Sequence, residues 1–403
     1  MKVMNNGKNK NLYLLFDCFW LIVLLPKPVQ LFVLLGFSVY LLNFKTIISK
    51  DKFCIIQYCV LLIYGVSILF NILITSHETA RIFAAANTFL ITFTALSLYQ
   101  IYSKSQIDSK RVGKSFLFNT AILFCILLLY LFYPGKDNLT IMGHSISAID
   151  FFEGFSTRFV GFFAYANLVP LFSIISIPFV VDYFENRKIY SLVILVMNFI
   201  FSFFANSRSG QLAMLLIMAL FAYDYFKLKV KKSSIKWYVL ITMIIIVTFG
   251  LITFPYISDK IDSVFLARTE SNSMRFTIYE KSLEKMIEYN PVIGMGIKDL
   301  YGGSIYPYGS HSSYIGYFYK TGIFGGCLYL LSIILYLYKI AKWKKRTMPD
   351  NVYFISAIAL FVWMVLEDLD GTNWSICYAY IMLGIICSRI KNGFNGRYKC
   401  SNT

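Results

Sequence analysis

The sequence predicts an all-α, polytopic membrane helix bundle, with residues 1–403 forming a single integral membrane domain. Composition, recurring apolar runs and the sorting of charge between loops all predict it. Of the 403 residues, 58% are hydrophobic and only 15% charged. Soluble domains carry roughly 45–50% apolar and about 25% charged residues. Mean hydropathy is +0.62, and apolar runs of membrane-crossing length recur between short polar turns.

Met1–Lys10 is polar and basic. The apolar run after it lacks a small-residue cleavage site, so it reads as a first span rather than a removable leader. Twelve spans are expected, near 12–25, 28–43, 53–75, 82–103, 115–133, 159–181, 189–205, 210–226, 237–255, 313–338, 353–366 and 373–388. The first two are short enough to form a re-entrant pair, and the total is taken as about 12 (11–12).

Lysine and arginine are sorted by side. The segments that share a side with the N-terminus hold 26 of the 38, and the opposite loops hold 11. Acidic residues divide six against 14, so the two faces carry +20 and −3. Basic loops stay cytoplasmic. Both termini are therefore expected on the cytoplasmic side of the membrane, with the 256–312 loop, between spans nine and ten, on the far side. This sorting accounts for the net charge of +17 and leaves no nucleic-acid partner to invoke. The short basic loops read as topology anchors against anionic lipid. The eight cysteines show no C-x-x-C pair and no zinc spacing, and read as small buried apolar residues.

The long polar loop is the place for chemistry. Met274, Ile278, Leu283, Met286 and Ile287 recur at helical spacing, with Glu280, Lys281, Glu284, Lys285 and Glu288 on the other face. That pattern predicts an amphipathic helix at the outer membrane surface. Pro291 ends it, and Gly294 and Gly296 form a tight turn. A tyrosine-rich loop leads to His311 at the mouth of the next apolar run.

Four sets of basic residues stand out on this face. Arg158 opens a predicted span, with Asn167 two and a half helical turns further, inside the bilayer. Arg208 lies in Asn206-Ser-Arg-Ser-Gly210, where a helix N-terminus and a guanidinium make an anion site. Arg268 and Arg275 flank the start of the amphipathic helix. Arg275 falls in its first turn, where a bound anion would offset the helix dipole. His311 has the ordinary pKa of about 6.5 that suits a proton acceptor. The plainer alternatives are an interfacial arginine, a charged turn, an Arg–Glu surface pair and a structural histidine. Together these residues suggest a phosphorylated substrate, since guanidinium forks match phosphate oxygens. With no Walker loop, Asp-rich motif or HExxH, no cofactor or metal is expected.

Asn290-Pro-Val-Ile-Gly-Met-Gly296, His311-Ser-Ser-Tyr-Ile and Gly322-Ile-Phe-Gly325, preceded by Arg158-x-x-Gly161…Asn167 and Asn206-Ser-Arg-Ser-Gly210, resemble the signature of bacterial O-antigen ligases and of O-antigen and capsule polymerases. The resemblance covers residues 158–326. It implies a GT-C-like membrane glycosyltransferase that is inverting and metal-independent, acting on polyprenyl-diphosphate-linked oligosaccharide at the outer face of the cytoplasmic membrane. The implied products are O-antigen, capsular polysaccharide or exopolysaccharide. A chain-length regulator and a flippase of the same pathway are the implied partners besides the bilayer. Arg158, Arg208 and Arg275 would hold the diphosphate, and His311 would help activate the acceptor hydroxyl. Asn167, Arg268, Tyr279, Gly294, Gly296, Ser312 and Lys320 complete the candidate substrate-binding set. The sequence departs from the family where Ser312 replaces the usual Asn and where Lys320-Thr321 replaces an acidic residue before Gly322. Lys320 would then snorkel or meet phosphate. Polymerase is the favoured reading over ligase. A lipid-linked oligosaccharide flippase is the alternative of a different class, but the polar groups gather at one face rather than along a central path.

Overall fold

The computed structural model describes residues 11–41, 51–133, 139–141, 143–150, 156–185, 187–229, 269–302, 306–343 and 346–400. Its helices are α1 (Leu14–Asp17), α2 (Phe19–Leu24), α3 (Lys27–Leu41), α4 (Lys52–Ile74), α5 (Thr79–Lys104), α6 (Ser109–Phe132), α7 (Leu168–Tyr183), α8 (Lys188–Phe204), α9 (Arg208–Lys229), α10 (Thr269–Tyr289), α11 (Ser313–Ala341), α12 (Met348–Leu366) and α13 (Asn373–Cys400). A 3-10 turn, Leu369–Gly371, joins the last two. Among the described residues, five helices are long and apolar enough to cross a membrane and four shorter ones are apolar. The expected span at 237–255, and the loop from there to Arg268, lie outside the described residues.

Several helix starts are capped as their sequences dictate. Asp51 accepts from Phe53 N at 3.3 Å ahead of α4, and Asp108 from Lys110 N at 3.0 Å ahead of α6. Thr347 and Asp350 form a capping box on α12. Each satisfies amides that have no partner within their own helix. The main core cluster is aromatic-rich, and in it Phe19 meets Tyr378 edge-on at 4.8 Å and Phe116 stacks on Phe179 at 5.5 Å; a smaller one joins Met286, Met295 and Tyr319. Helix α5 packs on α13, α4 on α11, α6 on α7 and α9 on α12. The bundle's perimeter is apolar, with Leu73 85% and Phe132 79% exposed. A bilayer covers such a perimeter and water does not. Together the apolar helices and this perimeter make the chain a polytopic helical membrane protein.

Two departures from expectation bear on the site. The structure is not wholly helical. Strands β1 (Thr140–Ile141) and β2 (His144–Ser145) form one hairpin, and β3 (Ser147–Asp150) and β4 (Ser156–Phe159) another. The predicted span at 159–181 accordingly starts late, at Leu168. Arg158 sits on β4 opposite Ala148. Gly161, at φ 69°, holds a backbone conformation that no L-residue helix continues through. Asn167 is thus at the N-cap of α7, not two and a half turns inside a helix.

Loops assigned to one side by charge also touch one another. Segments 156–167, 205–208, 269–312 and 366–373 meet at one end of the bundle. Two ion-pair groups, Asp51 with Lys339 and Arg389 with Asp182 and Asp350, lie at the other.

Candidate active site

The frame of the site is a broken helix. Gly322 interrupts α11 at φ 68°, ψ −172°. The break strips the carbonyls of Tyr319 and Lys320 of their helical donors. Met295 N and Gly296 N replace them at 2.8 and 3.1 Å, and Pro291 O receives Ile323 N at 2.8 Å. Gly294, at φ 78°, lies so close that a Cβ would strike the backbone of Lys320, Thr321 and Gly322. Its carbonyl accepts from Ser67 Oγ at 2.9 Å and Asn71 Nδ2 at 3.0 Å on α4. The Asn290–Gly296 motif is therefore a brace that replaces lost backbone bonds. It fixes the N-terminal half of α11, at whose mouth His311 stands.

His311 holds a left-handed backbone, φ 64°. Its carbonyl accepts from Tyr279 Oη at 2.6 Å, and its ring meets Tyr306 edge-on at 4.7 Å. Ser312 caps α11 through Oγ, which accepts from Ile315 N at 3.5 Å. Burial, then the charges of Arg275 and Lys298, push the His311 imidazole down to about 4. That corrects the ordinary value expected from sequence, and makes His311 neutral at physiological pH. Burial raises the Tyr279 phenol to about 12, so it stays protonated and donates its hydrogen bond to the His311 carbonyl.

Arg158 reaches across from β4. Its Nε donates to Ala205 O at 2.9 Å, and Nη2 to Asn206 O at 3.2 Å and Asn167 Oδ1 at 2.9 Å. Asn167 Nδ2 donates in turn to Glu367 at 2.6 Å. Glu367 also takes Arg275 Nη2 at 3.3 Å, while Leu366 O takes Nη1 at 3.1 Å. Arg158, Asn167, Glu367 and Arg275 thus form one continuous hydrogen-bonded chain. Arg208 opens α9, two residues beyond the Asn206 carbonyl that Arg158 holds. Helix α10 begins at Thr269, so Arg275 lies in its second turn. The expected dipole conflict does not arise, and its partner here is the buried Glu367.

Beneath this chain, Lys298 pairs with Asp368 at 2.6 Å and with Asp370 at 3.8 Å. Lys320 is buried and pairs with Asp370; it neither snorkels nor stands open to a phosphate. Burial works against Asp370 ionising, but Lys298 and Lys320 outweigh it and hold the carboxyl below its usual range. Burial and the Asp370 charge raise Asp368.

Arg158, Arg275, Asn167, Tyr279, Ser312 and His311 are thereby brought to one end of the bundle with Arg208. Gly294 and Gly296 lie in the brace, Lys320 lies beneath, and Arg268 is outside the described residues. His77 bridges Thr75 Oγ1 and Asp299 Oδ1, both at 2.9 Å. Sequence reasoning missed Lys298, Glu367, Asp368 and Asp370. The signal was present: three carboxylates in the short turn 367–372, between two apolar runs on the face that carries the arginines.

Fold and site together define a polytopic membrane protein with a cationic cluster and a neutral imidazole at one face. Residues 192–330 match the family model described as O-antigen ligase. The match bears out the resemblance read from the motifs, over the stretch that holds Asn206-Ser-Arg-Ser-Gly210, Asn290–Gly296 and His311. No curated protein matches the chain.

Proposed function

We propose that this protein polymerises polyprenyl-diphosphate-linked oligosaccharide units at the outer face of the cytoplasmic membrane, through a single GT-C-like domain with both termini inside. The hydrogen-bonded chain from Arg158 to Arg275 beside His311 carries this reading. It gathers guanidinium forks suited to a diphosphate next to a group suited to an attacking hydroxyl. Lipid-linked growing chain is the donor, and the incoming unit offers a sugar hydroxyl. The hydroxyl oxygen attacks the anomeric carbon and forms the new glycosidic bond. The carbon–oxygen bond to phosphate breaks, and the diphosphate leaves with the electron pair toward Arg158, Arg208 and Arg275. The hydroxyl proton passes to His311, whose ring is neutral before the reaction and gains basicity as the diphosphate's negative charge offsets Arg275 and Lys298. A single displacement inverts the anomeric carbon. Such electrostatic stabilisation of a leaving group is commonly the largest catalytic contribution.

The matched family description favours a second reading, in which the same chemistry delivers finished glycan to a lipid A core. Purified protein given polyprenyl-diphosphate repeat units alone separates the two. The polymerase reading expects a ladder of lengthened products that His311→Ala abolishes. Single units unchanged after incubation with active protein would overturn it.

A further inference from the structure

We propose that Glu367 is the positioning residue of this site, holding the donor-side arginines and the start of the His311 helix in one register. This rests on the proposed glycan transfer from a lipid diphosphate.

Glu367 is only 5% exposed, and a buried carboxylate is tolerated only when charged or hydrogen-bonding partners surround it. Two side chains from different elements bind it. Asn167 Nδ2 donates at 2.6 Å and Arg275 Nη2 at 3.3 Å to the same Oε1. Leu366 O takes the other terminal nitrogen of Arg275, so successive residues grip one guanidinium in its own plane. The Asn167 amide is polarised by its place in the chain, with its NH2 on the carboxylate and its oxygen on Arg158 Nη2 at 2.9 Å. One negative charge thus sets two guanidinium groups that would otherwise repel each other.

The peptide carbonyl of Glu367 does a second job. It accepts from Ser313 N at 3.1 Å and Ser313 Oγ at 3.0 Å, and Ser313 Oγ accepts from Leu369 N at 2.8 Å. Ser313 is the first residue of α11, two beyond His311. The donor grip and the acceptor-activating group therefore share a single anchor. Asp368 and Asp370 do not duplicate it, because they face Lys298 and Lys320.

The test is kinetic, with purified full-length protein and a polyprenyl-diphosphate-linked oligosaccharide as donor. Glu367→Gln preserves shape and an acceptor for Asn167 but removes the charge. It should lower kcat/KM about 100-fold, within the range for truncating a buried hydrogen-bonded charge pair, and mainly through a higher donor KM. Glu367→Asp should recover part of the loss. Glu367→Gln placed in an Arg275→Ala background should add less than about a further threefold, because both changes cut the same link. Glu284→Gln, exposed and paired with Lys281, is the control. A purely structural lesion would reduce kcat through the folded fraction and leave KM unmoved. An unshifted donor KM in Glu367→Gln, or fully multiplicative effects with Arg275→Ala, would overturn the positioning role. Wild-type protein that transfers no glycan would instead overturn the function beneath it.

Discussion

Gly294→Ala distinguishes a structural brace from a substrate-binding turn. Position 294 has φ 78°, and an added Cβ would press on the backbone of the α11 break. Holding a non-glycine residue in the left-handed region costs roughly 1–2 kcal/mol. Relief of the clash must separate the two segments, which strains the bonds from Met295 N to Tyr319 O and from Gly296 N to Lys320 O. Each contributes about 0.5–1.5 kcal/mol net. Losing both with the strain gives about 2–5 kcal/mol. Thermal unfolding of detergent-purified protein should register that loss. Residual transfer activity should follow the folded fraction, with donor KM unchanged. A variant as stable as wild type with a raised donor KM would refute the brace and place Gly294 at the substrate.

Other outcomes follow from the same geometry. Arg275→Lys should reduce transfer at least about tenfold, because an ammonium cannot span Leu366 O and Glu367 in one plane; transfer at wild-type rate would remove Arg275 from the site. Arg208→Ala should leave the protein inserted while abolishing chain growth, read by gel separation of surface glycan. His311, pushed down to about 4, binds fewer protons folded than unfolded between about pH 4 and its ordinary 6.5. Its contribution to stability is therefore complete above that window and is lost as pH falls through it. Comparing wild type with His311→Gln in pH-dependent unfolding should show the difference only below about pH 6.5; a difference that grows above it would contradict the burial of the ring.

Much of the bundle was legible because apolar runs and charge sorting are long-range, additive signals. Helix α4 follows its predicted span 53–75 within a residue or so. The site was legible in part. His311 and the arginines stand out as polar residues in an apolar chain, and motif order tied them together. What failed depended on contacts distant in sequence. Arg158 looked like the start of a helix because Phe-Val-Gly-Phe-Phe is apolar, yet the β3–β4 pairing and the Gly161 backbone claim that stretch. Lys320 looked like a candidate phosphate ligand because Asp370, fifty residues away, is its partner. Glu367 sits in a short turn with no periodicity, and its importance emerges only when Asn167 and Arg275 converge on it. The Gly294 and Gly322 motifs were visible, but their purpose became clear only where they cross.

The most direct measurement is the size distribution of glycan in a strain lacking this protein, compared with the same strain carrying His311→Ala. Polymerase activity predicts single repeat units on the normal acceptor in both. Long chains stranded on the lipid carrier, or lipid-linked units retained in the inner leaflet, would contradict it.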